Sequence, residues 1–171
     1  MFKSKIIFAN SMQIKESIHQ SLSQLENILI QLNDTEYTQA IEILNGQTIG
    51  KHVRHIVEFF QCLLIADDVV CFDNRKREVL IENSTIYTLD RIKSIKQKIE
   101  FLDFNQPIIL RQLIADDVIE VQSTIGRELI YCIDHSIHHF AIIKMVLRSD
   151  FPYISISEDF GIAYSTLNYT K

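Results

Sequence analysis

Residues that break regular structure are scarce, with two prolines and four glycines in 171. Such a chain is not disordered, and it favours long helices. The cysteines Cys62, Cys71 and Cys132 are an odd, widely spaced set without a CxxC pair. That excludes a disulfide framework and a zinc ribbon, and it predicts a reducing, cytoplasmic compartment. No apolar run approaches membrane-spanning length, so no membrane partner is expected. The stretch Ile6-Ile7-Phe8-Ala9 is too short for a signal-peptide core and ends at Asn10. Positive charge is also lacking: 17 Lys and Arg stand against 22 Asp and Glu, for a net charge of −5 and a pI near 5.6. A general nucleic-acid binder would carry a basic stripe instead. Arg75-Lys76-Arg77, flanked by Asp73 and Glu78, is the one dense basic run and reads as a solvated loop.

What the chain does have is 47% hydrophobic and 23% charged residues, enough for one ordinary core. A single domain over residues 1–171 is therefore expected. Ile14, Ile18, Leu22, Leu25, Leu29 and Leu32 recur at steps of three and four. This predicts an amphipathic helix over 12–32, capped by Ser11. Thr48 is placed to cap a second helix over 48–70, with Val53, Ile56, Phe59, Phe60 and Leu63 on or near one face. A third helix is expected over 85–102, read from Leu89, Ile92, Ile95, Ile99 and Leu102. Aliphatic segments on either side of Asp116-Asp117 suggest a small β-hairpin. The last long helix, capped by Thr124, is expected to run to about residue 147. The aromatic tail with Phe160, Tyr164 and Tyr169 is expected to pack back on the helices. The fold class expected from this pattern is all-α, a four-helix bundle with a small hairpin before its last helix.

Six histidines are present, and their spacing carries chemistry. At about 100° per residue, Glu128, Cys132, His135, His139, Ile142 and Val146 share one arc of the last helix, which the aliphatic residues mark as inward. Imidazoles four residues apart can converge on one ion at the roughly 2.0–2.1 Å of metal–nitrogen bonds. A third ligand must come from a facing helix, where His52 and His55 sit among apolar residues. His19 has a single Glu-x-x-His, whereas a ferritin-like di-metal bundle uses two. The zincin pattern is absent too, because Ser136 follows His135. A lone histidine on an apolar face is most often a core residue with one hydrogen bond. Several in register are costly to bury side by side, which favours a metal or an anion between them.

Two segments carry a family resemblance. Thr48-Ile49-Gly50-Lys51-His52-Val53-Arg54-His55-Ile56-Val57-Glu58 and Arg127-Glu128-Leu129-Ile130-Tyr131-Cys132-Ile133-Asp134-His135-Ser136-Ile137-His138-His139 resemble motifs of the DinB-like, YfiT-type superfamily of small metal-dependent enzymes. The resemblance implies metal ligands at His55, His135 and His139, with His52 and His138 ranked second. His138 lies about 80° off the inward arc. Imidazole ligands suit one divalent transition metal, with zinc, nickel or iron expected, and the resemblance implies a low-molecular-weight thiol as a further cofactor in some members. It points to thiol S-transfer or small-molecule hydrolysis; the alternative is a non-catalytic, metal-binding or stress-related bundle acting as a structural or interaction protein. Glu128 is the candidate catalytic base, although an acidic residue there also suits the helix N-terminus. Arg54 and Arg127 are the leading candidates to receive an anionic small-molecule substrate, with Arg75, Lys76 and Arg77 behind them, although scattered surface charges need no function. The expected partners are that substrate and a second copy, in a homodimer built on exposed helix faces.

Overall fold

In a computed structural model the chain is described over residues 2–169. Four long helices, α1 (Phe2–Leu29), α3 (Ile49–Leu64), α5 (Thr85–Ile99) and α6 (Ile125–Asp150), close a ring. In it α3 packs on α6 and α5, and α1 packs on α5 and α6. Two short helices, α2 (Asp34–Tyr37) and α4 (Val79–Asn83), fill the links, and α7 (Tyr164–Tyr169) lies in the tail. Local chemistry sets most of the helix starts. Thr48, Ser84 and Thr124 each accept a hydrogen bond from the backbone N–H three residues on, at 3.0, 3.4 and 3.2 Å. Asn33 and Glu36 form a reciprocal capping box at the start of α2. Helix α1 runs through Ser11 without a break, so that residue is internal and not a cap.

The all-α expectation does not hold. Between α3 and α6 the chain builds a three-stranded mixed sheet from β1 (Val69–Val70), β2 (Pro107–Ile114) and β3 (Asp117–Thr124), in the order β1-β2-β3. The hairpin is not small. Its two eight-residue strands pair antiparallel from Pro107↔Thr124 to Ile114↔Asp117, and Ala115 at the turn holds a φ of 54°. Strand β1 adds a parallel pairing, Val69↔Ile109 and Val70↔Leu110. The helix expected over 48–70 ends at Leu64. The β-branched pair Val69-Val70 finds ladder partners on β2 that a continuing helix would forgo.

One continuous apolar core gathers residues from every long helix, including Ile18, Leu22, Leu25, Phe60, Leu63, Ile92, Ile99, Phe140 and Ile143. The tail closes it: Phe160 is fully buried and stacks on Phe140 with centroids 4.5 Å apart. Among the described residues no helix is long and apolar enough to cross a membrane.

Candidate metal centre

The packing of α3 against α6 brings imidazoles from two chain segments together. His55 faces His135, Nε2 to Nε2 at 2.7 Å. His139 joins from one turn further along α6, its Nε2 3.2 Å from Nε2 of His135. One nitrogen from each of these three rings lies within 4.8 Å of the others, and all three residues are half-buried. A tetrahedral ion with nitrogens at about 2.0–2.1 Å spaces them roughly 3.3 Å apart. The His55–His135 and His139–His135 spacings, 2.7 and 3.2 Å, lie close to that value, so the donor set fits a first-row divalent ion.

The protonation states also suit ligation. Burial pushes His55 down to about 4, helped by the Arg75 guanidinium and the adjoining imidazoles. Burial and the surrounding rings push His139 down to about 3. His135 and His52 are lowered as well, first by burial and then by the neighbouring His138. A neutral ring has one unprotonated nitrogen, and its tautomer decides whether that nitrogen faces the cluster.

His52 stands beside the cluster, its Nδ1 2.9 Å from Nδ1 of His139. It reaches the far nitrogen of a cluster ring and adds nothing to the group of three. His138 is exposed and meets His139 edge-on at 5.3 Å. Glu128 is fully buried at the start of α6, where its carboxylate accepts from Ser123 Oγ at 2.5 Å and from Arg127 at 3.2 Å. Arg127 is exposed and lies on that same carboxylate. Arg54 is spent on Glu58 and Glu82. Glu128, Arg54 and Arg127 therefore engage their own neighbours and not the histidines.

Arg75, in the sequence a loop charge that could receive an anion, is instead packed against the histidine cluster. Its guanidinium donates to Nδ1 of His55 at 2.8 Å and to the Phe72 carbonyl at 2.8 Å. It lies 3.3 Å from Oε2 of the buried Glu58 and 5.1 Å from the Phe59 ring centre. The available signal was Glu58 itself, a carboxylate among apolar residues of α3, which must recruit cations to be buried. An aromatic wall completes the surroundings. Phe59 stacks on His135 at 4.5 Å and on Phe72 at 4.8 Å, with Tyr131 alongside. Beyond it, a cavity of about 290 Å³ is lined by Phe59, Phe72, Leu110, Tyr131, Arg111 and Arg127, among others.

The fold and site thus define a mixed helical protein with a histidine cluster between two helices. No family model matches the chain, and no solved structure matches it. A curated relative, FK506-binding protein 5 of Rhizopus delemar, is 36% identical over 109 residues, covering 60% of this chain. The chain spans 28% of that relative's length. These findings overturn the DinB-like, YfiT-type resemblance and the thiol-transferase or hydrolase activity drawn from it. The relative found by identity bears an FK506-binding name, and no model of that superfamily matches. The physical reason lies in the motifs themselves. Histidines spaced by four mark one face of a helix, a geometry that unrelated helical proteins share.

Proposed function

We propose that the chain binds one divalent transition metal, zinc, nickel or iron, through Nε2 of His55, His135 and His139. The observation that carries this reading is the convergence of three neutral imidazole nitrogens from α3 and α6 on one point. Three such ligands leave at least one position on the ion for an exogenous molecule. Cys62, Cys71 and Cys132 are free thiols, which supports placing the protein in the reducing cytoplasm. The test is metal quantification on wild type and on His55→Ala, His135→Ala and His139→Ala, prepared without chelator and reloaded with zinc. Stoichiometric zinc in wild type and its loss in each variant supports the reading; a wild type that takes up none rejects it.

The relative favours a second reading, in which the chain binds FK506. Its support is the 36% identity over 109 residues to a protein named for that ligand. Titration of the chain with FK506, followed by calorimetry, tests it directly: saturable one-to-one binding supports it, and no heat of binding rejects it.

A further inference from the structure

The contact between Arg75 and His55 sets a condition on the metal site. A guanidinium has five N–H donors and no acceptor, so Nδ1 of His55 must accept in the 2.8 Å bond. A neutral imidazole whose Nδ1 accepts carries its proton on Nε2. That is the atom facing His135, and the one an ion would need. In histidine metal sites the nitrogen away from the ion ordinarily keeps its proton and donates it to a carbonyl, carboxylate or water. Around His55 that place is taken by a donor.

We propose that Arg75 is a resident competitor of the metal, holding the proton of His55 on Nε2 until the guanidinium withdraws. This rests on the metal-binding reading above. On loading, the ion takes the Nε2 lone pair and the ring proton moves to Nδ1, so the ring stays neutral and no proton is gained or lost. Arg75, now facing a donor, leaves Nδ1. The withdrawal disturbs more than one bond, because the same guanidinium holds the Phe72 carbonyl and pairs with Glu58. Glu58 in turn accepts from the backbone N–H of Glu78 at 2.7 Å. Occupancy of the histidine cluster is thereby coupled to segment 72–78, which wraps this network. By contrast, His139 is ready for an ion: its Nδ1 faces Nδ1 of His52, which can accept a hydrogen bond from Nδ1–H.

The test is a competition titration with zinc ion and a chromophoric chelator on the full chain, using wild type, Arg75→Gln and Arg75→Lys. Gln offers a carbonyl to Nδ1–H of His55 and should tighten zinc binding about tenfold, whereas Lys remains a donor and should bind as wild type does. Zinc bound by Arg75→Gln no more tightly than by wild type overturns the competition while leaving the metal site standing. Zinc bound by none of the three proteins overturns the site and the competition together. If Arg75→Gln does not fold, wild type suffices. Nitrogen NMR of His55 should place the proton on Nε2 without zinc and on Nδ1 with it, and backbone exchange in segment 72–78 should rise on loading. The same tautomer in both states overturns the proposal.

Discussion

Nδ1 of His52 lies 2.9 Å from Nδ1 of His139 across the seam between α3 and α6. If His139 ligates through Nε2, its Nδ1–H donates a hydrogen bond to Nδ1 of His52, which fixes the tautomer and the ring angle. His52→Ala should therefore weaken zinc binding about 10- to 100-fold without abolishing it, whereas His139→Ala should remove stoichiometric binding. Competition titration separates the two outcomes. Equal loss in both variants would place His52 among the ligands.

Acid should destabilise the metal-free protein through these same rings. In the unfolded chain the histidines take up protons near 6.5, while burial holds folded His55 down to about 4 and His139 to about 3. Between those values the unfolded state binds more protons, so stability falls as pH drops. The loss should begin near 6.5, continue to about 3 and level off below. Urea denaturation of chelator-treated protein, followed by circular dichroism, measures it. His139→Gln should flatten the slope between pH 6.5 and 4; an unchanged slope would mean that other groups carry it.

How far the sequence reached is clearest at the helices. The 3.6-residue period is strong over 12–32, 85–102 and 124–147, and α1, α5 and α6 occupy those stretches, since burying an apolar stripe leaves little choice of conformation. The same period aimed His135 and His139 to one side of α6. Val69-Val70 is another matter. Two apolar residues carry no usable period, and their partners, Ile109 and Leu110, lie about forty positions away, so nothing local marks a strand there and the helical period points to an all-α fold. Arg75 is hidden for a similar reason: what gives it meaning is Glu58 and His55, packed against it only in three dimensions. The family motifs failed differently, because short histidine spacings encode a helix face and not ancestry.

Glu58 is the electrostatic hub of this region and should be among the least replaceable polar residues. It is 1% exposed, pairs with Arg54 and Arg75, and receives the Glu78 backbone N–H. Removing the carboxylate leaves two half-buried guanidiniums without their shared counter-charge. Glu58→Ala should cost about 3–5 kcal/mol, read from the urea midpoint. Glu58→Gln keeps an acceptor for the Glu78 N–H and should cost less. If both variants unfold like wild type, water must already screen the pair.

Gly50 sets how closely the start of α3 can approach α4. A Cβ there would run into the Glu82 carbonyl oxygen and would sit 3.2 Å from Cε1 of Tyr37. Tyr37 is itself buried and donates to the Ile81 carbonyl at 2.8 Å. Neither neighbour can yield cheaply, because one is backbone and the other is locked by its hydrogen bond. Gly50→Ala should then destabilise the fold by about 1–3 kcal/mol despite the better helix propensity of alanine. The strain falls on the first turn of α3, just before His52, so zinc affinity should drop with it. A Gly50→Ala protein as stable as wild type in urea would mean that α4 moves aside freely, and α3 would then have no fixed stop at its first turn.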